Sequence, residues 1–319
     1  MPFTLENRLV VGVASSALFD LTESGAVFDQ QGEQAYRAYQ EEHLGDPLAP
    51  GPAFQFIKRL LKLNDLSASE DDPLIEVIIM SRNDPDTGLR VMESIKHHDL
   101  PITRAIFRAG QSPYTFIPTL NIALYLSADE KAVRGALSAG YPAGLVLSGT
   151  ADDDDTDELR ISFDFDGVLT DDSAEKVYQS GGLKAFHADE ASQATVPLPD
   201  GPILPFLKAL SRIQAVEQGR REAESTYHRR LSVSVVTARN APAHARMVHT
   251  LKEWQVTVDD AFFLGGIEKG RIMEVLKPHI FFDDQRTHLE GTAKHVPSVH
   301  VPFGALNSPQ PANDPSAVA

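Results

Sequence analysis

Short apolar runs recur along the chain, at residues 8–14, 75–80, 102–107, 122–126 and 143–147, each too short for a helix and bounded by polar or turn residues. Between them lie stretches with apolar positions at helical spacing, over residues 32–43, 52–63, 86–98 and 129–139. Strands that alternate with helices predict βαβ units and a parallel sheet. After residue 150 the pattern restarts, with strands expected at 160–165, 232–237, 259–264, 279–283 and 298–301. The two halves share identities as well as architecture. Arg90, Lys96, Ala105, Phe107, Gly110 and Leu120 match Arg246, Lys252, Ala261, Phe263, Gly266 and Leu276, all 156 residues apart. With a one-residue shift, RNDP at 82–85 falls on RNAP at 239–242. A single register of this kind predicts an internal duplication.

The expected organisation is a first α/β unit over 1–150, an acidic linker over 151–158, and a second α/β unit over 159–303. A tail from residue 304, rich in Pro, Ala, Asn and Ser, is expected to be disordered. The 319 residues suit two domains, each able to bury a core. The absence of cysteine excludes disulfides, thiolate metal sites and a cysteine nucleophile. A net charge of −16 argues against nucleic acid as a partner. No apolar run is long enough to span a membrane, and the N-terminus lacks the pattern of a secretory signal. The expectation is a cytoplasmic protein with no membrane partner. An anionic substrate would need local positive charge supplied by its own site.

Four segments of the second half carry that chemistry. ISFDFDGVLTDD (161–172) ends an apolar strand with Asp164 and Asp166, and the break at Gly167 lets the second carboxylate lean over the first. VSVVTARN (233–240) ends a strand at Thr237, whose hydroxyl and following N–H groups suit phosphate oxygens; Arg239 and Asn240 follow as candidate substrate-binding residues. Lys269 stands in GGIEKGR, and HIFFDDQ ends a further strand at Asp283 and Asp284. In a parallel sheet the C-terminal strand ends share one edge, so carboxylates from two of them converge on a hard cation such as Mg2+. The lysine and the metal then neutralise a phosphoryl group that a carboxylate attacks. Each segment alone is common; their order is not. A receiver domain uses the same residue types in a different order.

DFDGVLTDD, VVTARN, EKG and FFDDQ resemble the four motifs of the haloacid dehalogenase (HAD) superfamily of phosphohydrolases. RLVVGVASSALFDL, MSRNDPDTGLRVMESI and AFFLGGIEKGRIMEVLKPHIFFDDQ extend the likeness over residues 1–303, where the chain resembles the cytosolic 5'-nucleotidase type I family. The resemblance implies a HAD-like Rossmannoid sheet in the C-terminal half, preceded by a degenerate HAD-like half. It further implies Mg2+-dependent hydrolysis of nucleoside 5'-monophosphates through an aspartyl-phosphate. Asp164 would be the nucleophile, Asp166 the general acid and then base, and Thr237 and Lys269 the holders of the phosphoryl oxygens. Mg2+ would be bound by Asp164, the Asp166 carbonyl and a carboxylate of Asp283 or Asp284. A HAD phosphatase for another small phosphomonoester, or a slow nucleotide-binding regulatory protein, are the alternatives.

The first half lacks paired acids: Ser15 and Ala17 stand near the carboxylate positions, Ser127 replaces Asp283 and Pro113 replaces Lys269, while Ser81 keeps a hydroxyl. It reads as a silent copy that is architectural or covers the catalytic edge, with Arg82, Asn83 and Asp86 as candidate nucleotide contacts. Residues 171–230 are too many for a βα connection and are expected to form a cap over the substrate. Tyr178, Phe186 and Phe206 are candidate stacking residues, with core packing the favoured reading. No histidine is assigned a role, and association into a homo-oligomer is left open.

Overall fold

The computed structural model describes residues 3–147 and 156–307. Ten strands form one sheet: β1 (Leu9–Val13), β2 (Ile75–Ser81), β3 (Arg104–Phe107), β4 (Ile122–Ser127) and β5 (Ala143–Val146), then β6 (Leu159–Phe163), β7 (Leu231–Thr237), β8 (Asp260–Phe263), β9 (Ile280–Asp283) and β10 (Ser298–His300). All ten fall where the apolar runs predict them. Strands β1 and β2 are buried along their whole length, which is why they read as continuous apolar runs rather than as alternating ones. In the first half the helices are α1 (Ser15–Leu18), α2 (Thr22–Gln31), α3 (Glu33–Glu42), α4 (Phe54–Lys62), α5 (Pro85–His97) and α6 (Glu130–Ser138). The second half contributes α7 (Ser173–Ser192), α8 (Leu204–Ala223), α9 (His244–Glu253), α10 (Lys269–Leu276) and α11 (Arg286–Thr292).

The strand order is β3-β2-β1-β4-β5-β10-β9-β6-β7-β8, which reads the same from both ends once the two halves are equated. Within each half every pairing is parallel, and only the β5–β10 junction is antiparallel. The halves are therefore related by a pseudo-two-fold axis through that junction. Glu130 and Arg286, equivalent by the repeat, meet across it at 2.7 Å. One consequence is that the strands of the two halves run in opposite directions, with their C-terminal ends meeting in one row through Ser127, Leu145, His300 and Asp283.

The repeat extends into the loops. The N–H of Ala14 donates to Leu126 O at 2.8 Å, and that of Asp164 to Phe282 O at 2.8 Å. Ala14, not Ser15, thus occupies the position of Asp164, and Ala17, whose carbonyl accepts from Ala53 as that of Val168 does from Ile203, matches Val168 rather than Asp166. The bridges Phe19–Pro50 and Thr170–Asp200 bracket matching insertions. In one, α2 and α3 flank Gly32 at φ 82°; in the other, α7 is broken at Gly182 at φ 68°. The insertion bracketed by the Thr170–Asp200 bridge, the candidate cap, is therefore shorter than residues 171–230. Helix α8 belongs to the core layer instead: Leu204, Phe206, Leu207, Leu210 and Ile213 are buried. Phe206 packs on Phe56, Phe163 and Phe282, so it cannot stack on a ligand.

At the linker, Arg59 donates to the carbonyls of Thr156 and Glu158, and Lys62 pairs with Asp157; residues 151–155 lie outside the described residues. The tail expected to be disordered from Gly304 is ordered in its first residues. Ala305–Asn307 form a 3-10 turn, and Asn307 Nδ2 donates to Asp284 O at 2.9 Å; residues 308–319 lie outside the described residues. Among the described residues no helix is long and apolar enough to cross a membrane.

Candidate active site

Strand β6 ends at Phe163 and delivers Asp164 onto the C-terminal edge, while its parallel neighbours β7 and β9 deliver Thr237 and Asp283. Asp164 is 4% exposed, and its Oδ1 accepts the N–H of Phe165 at 2.7 Å. Lys269, the first residue of α10, places Nζ 2.9 Å from Asp164 Oδ2 and 2.7 Å from Asp283 Oδ2. Three charges from three elements thus share one buried point.

Burial, opposed by the Lys269 ammonium and reinforced by Asp283 and Asp166, pushes the Asp164 carboxyl up to about 6. Burial works against the Lys269 charge too, but Asp164 and Asp283 outweigh it and hold the ammonium above its ordinary range. Asp283 is held below the usual carboxylate range by Lys269 and His288, against its burial. It also accepts the N–H of Gln285 at 2.8 Å, and His288 Nδ1 stands 3.2 Å from its Oδ2.

Asp284 is different. It is buried with Oδ1 lacking any hydrogen-bond partner, and burial together with the charges of Asp164 and Asp283 pushes its carboxyl up to about 9. It lies against the turn at Gly167, where φ is +72° and an added Cβ would fall 2.5 Å from Asp284 Oδ2. Only glycine supplies both that backbone and that approach. An orphaned carboxylate oxygen among like charges is what a bound cation would satisfy, and oxygen donors suit a hard divalent ion. Asp164, Asp283 and His288 also offer donor atoms within 4.8 Å of one another.

Asp166 leaves the strand direction as expected but is not free. Arg239 grips it with both oxygens, Nε to Oδ2 at 2.8 Å and Nη2 to Oδ1 at 2.7 Å. The same guanidinium bonds Glu190 of the cap through Nη1, and Glu190 accepts from Arg246 of α9 at 2.9 Å. His187 of the cap meets Asn240 at 2.8 Å. Thr237 is buried, and its hydroxyl accepts the N–H of Arg239 at 3.1 Å.

A cleft of about 340 Å3 opens beside these groups, within the range of small-molecule sites. Asp164, Asp166, Thr237, Arg239 and Asn240 line one side, and Tyr178, Leu183 and Phe186 of the cap line the other. Tyr178 is 47% exposed, so core packing does not account for it.

The structure thus brings Asp164, Asp166, Thr237, Lys269, Arg239, Asn240, Asp283 and Asp284 together. It does not bring Arg82, Asn83 and Asp86 to them. Those residues follow β2 of the first copy, and none of them lines the cleft. Arg82 binds Asp129 and the Gly110 carbonyl, and Asp86 lies exposed beside Arg37. The RN alignment also moves by one residue: the N–H of Asn83 donates to Ser81 Oγ at 3.1 Å as that of Arg239 does to Thr237, which equates Asn83 with Arg239. Glu190 and His288 escaped the sequence reading. Glu190 sits in a polar helix that reads as solvated, and only its partner Arg246, matched by Arg90, carried a signal.

A family model described as 5'-nucleotidase matches residues 1–308. Over 295 residues the chain is 32% identical to cytosolic 5'-nucleotidase 1B of Homo sapiens, an alignment that covers 91% of this chain and 48% of that protein. The chain therefore spans about half the length of that curated relative. With the family match running through both halves of the sheet and all four segments of the cluster, this chain belongs to the 5'-nucleotidase family.

Proposed function

We propose that the protein hydrolyses nucleoside 5'-monophosphates to nucleoside and phosphate, with Mg2+ as cofactor and an aspartyl-phosphate as intermediate. The observation that carries the reading is the Asp164–Lys269–Asp283 cluster at 2.7–2.9 Å, with Asp166 two residues from Asp164 and at the mouth of the cleft. In the first step an Asp164 carboxylate oxygen attacks phosphorus, the bond from phosphorus to the 5'-oxygen breaks, and Asp166 gives its proton to that oxygen. Asp166 then takes a proton from water as the water oxygen attacks the acyl-phosphate. Phosphate leaves and Asp164 is restored.

Lys269 and Thr237 hold phosphoryl oxygens, and Lys269 also keeps the Asp164 nucleophile charged despite its burial. Asp164, Asp284 and the Asp166 carbonyl would hold Mg2+, which when bound supplies charge neutralisation for the phosphoryl group. Asp284 suits that role better than Asp283, whose oxygens already serve Lys269, Gln285 and His288. Tyr178 and Phe186 favour a flat ring over a sugar phosphate alone. The human relative's name places that protein in the cytosol, and we assign this chain there too.

The test is phosphate release with Mg2+ across nucleoside monophosphates and sugar phosphates, run beside Asp164→Asn. Release from nucleotides that the variant lacks supports the reading. Release confined to sugar phosphates, or retained by Asp164→Asn, rejects it.

A further inference from the structure

We propose that Glu190 is a positioning residue for nucleotide cleavage: as a standing counter-ion for Arg239, it allows Asp166 to leave that arginine and reach the leaving oxygen. The inference rests on the acid role of Asp166 given above. As placed, both carboxylate oxygens of Asp166 accept from Arg239, which ties the orientation of the carboxylate to that arginine. Reaching the 5'-oxygen as an acid then means loosening that grip. The guanidinium of Arg239 is 1% exposed, and a buried cation that loses its only carboxylate is strongly disfavoured. Glu190, also 1% exposed, prevents that state. It remains on Nη1 when Asp166 departs, and Arg246 fixes it there from α9.

The silent copy supplies an internal control. It has no acid between Ala14 and Ala17, where Asp166 would fall, and it carries Asn83 and Gln40 at the positions of Arg239 and Glu190, so all three charges are absent together. The fourth member is kept. Arg90 donates to Gln40 Oε1 at 3.2 Å and to the Asp46 carbonyl at 3.0 Å, as Arg246 donates to Glu190 and to the Val196 carbonyl. A neutral amide therefore suffices to anchor the insertion on its helix. The negative charge of Glu190 is required only where an arginine faces a working carboxylate.

The test is Glu190→Gln with Mg2+, comparing a nucleoside 5'-monophosphate with p-nitrophenyl phosphate, whose leaving group departs without a proton. The expected result is a folded protein whose kcat on the nucleotide falls about 10²-fold, the low end of what a general acid contributes. The kcat on the aryl phosphate and KM for the nucleotide should stay within about threefold, less than one such contribution. Glu190→Asp, which keeps the charge, should retain more nucleotide turnover than Glu190→Gln. Should Glu190→Gln not fold, Glu190→Asp carries the test, because its shorter carboxylate should lower kcat on the nucleotide more than on the aryl phosphate. Equal losses on both substrates, or no loss on either, would overturn the inference. Failure of the wild type to cleave nucleotides would reject the underlying function instead.

Discussion

Gly167→Ala separates backbone strain from occupancy of the metal-side pocket. Two costs are expected. The φ of +72° places an alanine in the left-handed region, at about 1 kcal/mol. The new Cβ then lands 2.5 Å from Asp284 Oδ2 and 2.7 Å from its Cγ, so the carboxylate must retreat by about 1 Å to reach ordinary contact. Crowding of that size costs about 1–3 kcal/mol more. Gly32→Ala is the matched control, because Gly32 has φ +82° with nothing within 4 Å of the added Cβ. Thermal unfolding should show Gly32→Ala lower by roughly 2 °C and Gly167→Ala by several degrees more. Phosphate release should be unchanged in Gly32→Ala and reduced on the order of 10²-fold in Gly167→Ala, as expected for a 1 Å displacement of a site carboxylate. On the proposed Mg2+ site, the metal should stabilise the parent and Gly32→Ala alike and fail to stabilise Gly167→Ala. Equal behaviour of the two variants would refute the placement of Asp284 against Gly167 as the source of the metal site.

Beryllofluoride or vanadate with Mg2+ should inhibit competitively with nucleotide; no inhibition counts against an acyl-phosphate route. Without metal, stability should fall as pH rises from about 4 towards 9, because native Asp284 keeps a proton that the unfolded chain, with an ordinary carboxyl at 3.8, has lost. Asp284→Asn should flatten that slope in thermal melts and abolish stabilisation by Mg2+; an unchanged slope would remove Asp284 as its cause. Arg82→Ala should leave kcat/KM within about twofold, the size of an ordinary surface substitution. A large loss would mean that the first copy touches substrate after all.

All ten strands were legible because buried parallel strands leave uninterrupted apolar runs such as IEVIIM, and turns of polar residues separate them. The charged cluster was legible because each member ends a strand or opens a helix, so spacing along the chain translated into one edge of the sheet. The insertion after β6 was legible in existence but not in extent. The apolar face of α8 fits a cap helix and a crossover helix equally, and only its burial on the sheet decides between them. The direction of the first copy was hidden for a different reason. A single antiparallel pairing between β5 and β10 reverses that half, and two short apolar strands carry no mark of their relative direction. Ion pairs such as Arg239–Glu190 depend on how the cap folds back, which residue spacing within α7 does not encode.

The β5–β10 pairing makes the silent half a permanently attached partner. A fragment starting at Thr156 would leave the Val299 edge with open backbone donors and acceptors, an invitation to intermolecular strand addition. The two copies are fused, and only the second ends its strands in the paired acids of DFD and FFDD. The first seals the margin of the other.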